Sequence, residues 1–311
     1  MSAPKIFLHL LLFIITLFTT CVAGAAWLNI DPFEVSNILL GLPYALCLLF
    51  ILATHEFGHY FASRIHNVDA TLPFFIPFPT LPGFLNFGTL GAVIRTRTPV
   101  PSKKVMFDIG VAGPIAGFVA SLLVLAYGFT HLPGREFILA IHPDYFSKPA
   151  SGGLELSFGT SIMYEAMSLL LTNPAYQFVP PMTEMYHYPF LCTGWFGLFV
   201  TAMNLFPIGQ LDGGHLSYTM FGAAHKTIAR TAFVLLLAIG LMGFLPALGV
   251  QVNFGWTGWL FWAAVLLFVV KLTHPPVMNE EPLDPIRMKI GWLTWIIFAV
   301  SFAPSPFSIL F

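Results

Sequence analysis

Apolar runs of about 20 residues recur along this chain, and at about 1.5 Å per helical residue each matches the hydrocarbon thickness of a bilayer. Only 9% of the residues are charged and the mean hydropathy is +0.81, which excludes an ordinary soluble globule. Candidate spans fall at 6–28, 38–61, 106–128, 190–207, 230–250, 255–271 and 290–310, six or seven in all depending on whether the fourth crosses. The predicted fold is an all-α polytopic membrane protein of six to seven transmembrane helices. Residues 6–28 also have the layout of a signal peptide, with Lys5 ahead of the run and Ala23-Gly24-Ala25 near its end. The run is long for a cleavable core, so it is read as a retained span.

A net charge of −1 and the lack of a basic stripe exclude nucleic acid as a partner and leave the lipid bilayer. The charges instead fix orientation. With a cytoplasmic N-terminus and seven spans, eleven of the thirteen Lys and Arg fall inside, and only Arg135 and Lys148 fall outside. Cys21, Cys47 and Cys192 lie in apolar segments without CxxC spacing, so neither a disulfide framework nor a thiolate metal knuckle is indicated.

Two connections carry information. Between the second and third spans, Thr71-Leu72-Pro73-Phe74-Phe75-Ile76-Pro77-Phe78-Pro79 is apolar yet too rich in proline for a helix. Its backbone must pack on protein, line a cavity or lie at the interface. The following residues 88–98 are β-prone, which predicts a small membrane-associated β region there. The 129–189 segment is the longest polar stretch, with a broken run at 147–153 and a surface helix expected near 160–171. In the third span, Gly113 and Gly117 are four apart, a spacing that favours close helix packing over catalysis.

His55-Glu56-Phe57-Gly58-His59 is an H-E-x-x-H pattern. On a helix its two histidines share a face and can hold one zinc ion, with Glu56 beside them as general base toward water activated there. About 17 mostly apolar residues precede His55, which places three ionisable groups near one end of a span, where they are costly unless paired or bound to metal. A catalytic zinc needs a third protein ligand. Asp212, in Asn204-Leu205-Phe206-Pro207-Ile208-Gly209-Gln210-Leu211-Asp212-Gly213-Gly214-His215, falls on the same side of the membrane as the histidines. Taken alone, that stretch is equally well read as a Gly-rich turn with Asp212 as a helix cap.

The two motifs together resemble the site-2 protease family of intramembrane zinc metalloproteases. The resemblance covers about 38–225, including Gly113-Pro114-x-x-Gly117, and implies one domain over 1–311, with a catalytic core at about 38–225 and accessory spans at about 230–311. It implies one Zn2+ held by His55, His59 and Asp212, Glu56 as the base, and Asn204 assisting near the scissile carbonyl. It further implies single-span membrane proteins as substrates, cleaved in regulated intramembrane proteolysis. Because 129–189 is short, the chain resembles the branch that lacks a PDZ domain. The location expected from these readings is a bacterial cytoplasmic (inner) membrane, with the site facing the cytoplasm.

Other candidates are His66 and His215, near the motifs and able to hydrogen-bond the ligands, although a lone histidine at a membrane interface is more often solvated or capped, and Asp108, expected to favour the helix dipole at the start of the third span. The alternative functions are a metal transporter and a zinc-binding, non-catalytic scaffold. A transporter would be expected to line several spans with ionisable groups, which this chain lacks. The intact Glu56 speaks against the scaffold.

Overall fold

The computed structural model describes residues 3–80, 86–147, 155–250 and 254–310. Among these, four helical segments are long and apolar enough to cross a membrane: Ile6–Trp27, Val35–Ile65, Lys103–Thr130 and Asp212–Met242. The first belongs to α1 (Ala3–Trp27). The second joins α2 (Val35–Ile38) to α3 (Leu42–Ile65) through a single tight turn. The third is α4 (Lys103–Thr130), and the fourth joins α8 (Asp212–Phe221) to α9 (His225–Met242).

Of the six to seven expected spans, these four meet that length and hydropathy among the described residues. The fourth expected span is α7 (Pro189–Asn204), whose 16 residues reach only about 24 Å. Its residues 191–198 are all buried, so its apolar character serves packing inside the bundle, a role that hydropathy cannot distinguish from contact with lipid. The fifth merges with α8 into one longer segment. The last two are α10 (Gly258–Val265), which ends in a wider helical turn at Val270, and the 17-residue α11 (Pro285–Ser301).

α3, α4 and α7 pack together around a core that includes Leu48, Leu52, Phe118, Leu125, Trp195 and Leu198. Close approach of α3 and α4 depends on glycine. A Cβ on Gly58 would lie 2.6 Å from the Ala112 carbonyl oxygen, and one on Gly113 would run into the His59 ring. This bears out the packing reading of the small residues in α4. α11 packs on α4 and α7, which brings the C-terminal part of the chain against the same core.

The proline-rich connection forms β1 (Phe74–Pro77), antiparallel to β2 (Thr89–Val93), with Phe74 opposite Val93 and Phe75 opposite Ala92. This is the expected small β region, narrower than 88–98, and it packs against α1. In the 129–189 segment, α5 (Arg135–Ile141) precedes α6 (Ile162–Leu171), the expected surface helix, whose Ser161 cap accepts a 3.3 Å hydrogen bond from the Tyr164 amide. The run at 148–153 lies outside the described residues. A second antiparallel pair, β3 (Glu155–Phe158) with β4 (Phe307–Leu310), was not anticipated. Its partners are some 150 residues apart, and neither strand has the length or alternation that marks a strand in sequence.

Candidate metal centre

His55 and His59 lie four apart on α3, so their rings meet edge to face on one side of the helix with their Nε2 atoms 3.1 Å apart. Asp212 is the first residue of α8, and one of its carboxylate oxygens stands 3.3 Å from each of those nitrogens. Its side chain makes no cap: Leu211 holds the N-cap position and no side-chain cap bond forms there. The Gly-rich turn is nevertheless what brings it in. Gly209 has φ +57°, a conformation costly for other residues, and a Cβ on Gly213 would collide with the Leu205 carbonyl.

Ligand atoms held tetrahedrally at about 2.0–2.1 Å from zinc lie about 3.3 Å from one another. A triangle with edges of 3.1, 3.3 and 3.3 Å meets that spacing, and two imidazoles with one carboxylate are a donor set suited to zinc. The tautomer fits as well. His59 Nδ1 donates a 2.7 Å hydrogen bond to the Ile109 carbonyl of α4, which leaves its Nε2 lone pair facing the common point. The glycines of α4 make room: Gly113 lies under the His59 ring, and a Cβ on Gly117 would come within 3.1 Å of His55.

Glu56 is buried beside this triangle and its carboxylate accepts from the Ile94 amide, just beyond β2. The end of the small sheet is thereby fixed next to the expected base. Asn204, the last residue of α7, has its Nδ2 3.3 Å from His55 Nε2. All five expected residues are thus gathered at one end of the bundle.

The neighbours divide differently. His66 is not among them: its Nε2 pairs with Asp108 at 2.8 Å, and Asp108 in turn receives two hydrogen bonds from Arg287 of α11, at 2.8 and 2.6 Å. Asp108 therefore ties three helices together and does not serve the α4 N-terminus, whose cap is Ser102. His215 does lie close by, and its Nδ1 donates at 2.7 Å to Nε2 of His274. His274 was not anticipated, since a single histidine in a connection carries no spacing signal. Its Nδ1 donates to the Pro275 carbonyl and its ring stacks on Tyr218 at 4.4 Å. Burial lowers its pKa, the Pro275 carbonyl opposing, so the ring is neutral near pH 7 and accepts from His215. Glu280 completes this wrap, accepting from Tyr218 at 2.8 Å and pairing with Lys103 at 3.2 Å; those two partners hold its pKa below the ordinary value.

Two buried histidines and a carboxylate, with an adjacent glutamate and set in an apolar helical bundle, form a candidate metal centre of the H-E-x-x-H class. The model of peptidase family M50 matches residues 43–246, and the chain belongs to that family. Similar proteins include "Probable zinc metalloprotease EGY2, chloroplastic" from Oryza sativa subsp. indica, 26% identical over 300 residues, covering 94% of this chain and 49% of that protein. "Probable zinc metalloprotease EGY1, chloroplastic" is 33% identical in Oryza sativa subsp. japonica, over 65% of this chain and 32% of its own length, and 32% identical in Arabidopsis thaliana. The chain thus spans about half or less of the length of these relatives. Their names place them in chloroplasts, so the expectation of a bacterial inner membrane finds no support; the family and the apolar helices make this an integral membrane protein.

Proposed function

We propose that this chain is a zinc endopeptidase that hydrolyses peptide bonds of single-span membrane proteins within or beside their membrane segments. The observation that carries the reading is the donor triangle of His55, His59 and Asp212 with Glu56 beside it, buried at the end of a membrane helix. Zinc bound there supplies a Lewis acid for the scissile carbonyl and acidifies water. Glu56 takes the proton from the attacking water and delivers it to the leaving amine. Asn204 reaches the same point from α7 and is placed to donate to the carbonyl oxygen as charge develops. His59 is held in its working tautomer by the Ile109 carbonyl.

A substrate helix hides its carbonyls in its own hydrogen bonds and must be unwound locally before attack. Strand β2, which ends beside the Glu56 contact, offers an edge on which an extended segment can add, with main-chain hydrogen bonds replacing those lost. The Lys and Arg near the same ends of the helices, among them Arg64, Lys103 and Lys104, support a site that opens toward the cytoplasmic side. No PDZ-like unit is formed by the described residues of 131–188, which supports the PDZ-less branch.

The test is cleavage of a panel of single-span membrane peptides by purified wild type and Glu56→Gln, with and without chelator. Hydrolysis that depends on both the carboxylate and the metal is expected. Hydrolysis indifferent to both removes the proposal. Zinc binding with transport and no hydrolysis would favour the transporter reading instead.

A further inference from the structure

A second group of metal-type donors lies at the other end of the helices. His142 follows α5, while Glu184 and His187 belong to the turn that leads into α7. His142 Nε2 and His187 Nε2 are 3.1 Å apart, and Glu184 Oε2 is 3.5 Å from each. These edges match those of the first triangle within 0.2 Å for the longer pair, and both sets fit the spacing of about 3.3 Å around a tetrahedral ion.

The hydrogen bonding repeats too. His187 Nδ1 lies 2.6 Å from the Trp27 carbonyl oxygen at the end of α1, and since a carbonyl only accepts, Nδ1 carries the proton of this buried ring. Its Nε2 lone pair then faces both the His142 nitrogen and a carboxylate oxygen. A divalent ion at that point would take the lone pair and the carboxylate together, in place of the proton that His142 Nε2 otherwise presents to them. In the first site the Ile109 carbonyl does for His59 what the Trp27 carbonyl does here for His187.

We propose that His142, Glu184 and His187 form a second divalent-metal site, of the zinc class, on the membrane face opposite the H-E-x-x-H motif. Two neutral imidazoles and a carboxylate are borderline nitrogen and oxygen donors, which select zinc over calcium or magnesium. The Glu184 and His187 side chains are 6% and 3% exposed and that of His142 is 38% exposed, so an ion enters from the outer surface past His142. His142 binds by moving its ring proton to Nδ1, with no net proton lost. Binding would join residues 45 apart in the long outer segment and fasten them to the end of α1, which is the work of a structural clip.

The site is independent of the proposed hydrolysis, and its test needs no activity. The full chain is stripped of metal in detergent and titrated with Zn2+. About two equivalents are expected for wild type, about one each for His142→Gln and Asp212→Ala, and none for the double variant. An Asp212→Ala chain that binds no zinc, or a His142→Gln chain that binds as much as wild type, overturns the proposal. Because His142 is partly exposed, its replacement by Gln is a mild one; a Co2+ spectrum of Asp212→Ala gives a second reading that needs no change at the proposed site. Ligand-field bands of tetrahedral Co2+ are expected there, and a featureless spectrum, as from a plain His142–His187 hydrogen bond, overturns it.

Discussion

The two His–His–carboxylate triangles of this protein have nearly the same edges and are built by different means. In the first, α3 alone fixes two donors, because residues four apart on a helix share a face, and only the carboxylate arrives from elsewhere. In the second, a tight turn supplies Glu184 and His187 three apart, and the other imidazole comes from a connection before it. The first is sealed, with side-chain exposures of 6%, 9% and 15%; the second has one open corner at His142. The first also has a buried glutamate beside it, Glu56, next to His55 in the motif. On the proposals above, a triangle of donors holds an ion in both places, and the first alone is assigned a base.

Four experiments press on that contrast. The largest effect is expected from Glu56→Gln, which should lower peptide cleavage by about 10²–10⁴-fold while zinc content stays that of wild type; a parallel loss of metal would mean that Glu56 is a structural partner and the base is another group. Next comes Gly113→Ala. Its methyl would occupy the space of the His59 ring, so zinc at the motif end and cleavage should both collapse, whereas Gly117→Ala, with a Cβ 3.1 Å from His55, should lose much less. Equal effects of the two would show that α4 does not set the ring positions.

A smaller, kinetic difference should separate the sites on metal removal. A soluble chelator should draw zinc in two phases, with the fast one from the exposed corner at His142 and absent in His142→Gln. A single slow phase in wild type would break the comparison. The smallest effect is expected at Arg287, whose partly exposed guanidinium bridges α11 to Asp108. Replacing it with Gln should cost on the order of 1 kcal/mol of stability, read as a modest drop in the melting temperature with zinc content unchanged. A loss of metal would join the His66–Asp108–Arg287 chain to the centre after all.

How much was legible follows from the range of the interactions. His55, Glu56 and His59 are read directly because helical geometry is local, and the motif marks its own face. Asp212 and Asn204 were reached through a second motif, although residue types alone left Asp212 balanced between ligand and cap; the position of the Leu211 cap and the 3.3 Å approach to both histidines decide where the carboxylate lies. The number of spans was legible only in part, because α7 buries its apolar residues 191–198 against protein, and hydropathy does not distinguish that from contact with lipid. The Asp108 role was not legible because its partner Arg287 lies some 180 residues further on, and Asp108 in turn holds His66.

The sequence by itself determined that the chain lives in lipid, that one helix carries the paired imidazoles and their glutamate, and that glycines in α4 let another helix come close. Those are properties of hydropathy and of spacing within a single helix, where neighbours in sequence are neighbours in space. Tertiary structure alone decided which carbonyl orients each histidine, that β2 ends at Glu56, and that His142 meets Glu184 and His187. Each of those depends on two segments packed from far apart in the chain, and no local pattern of residues records such a meeting.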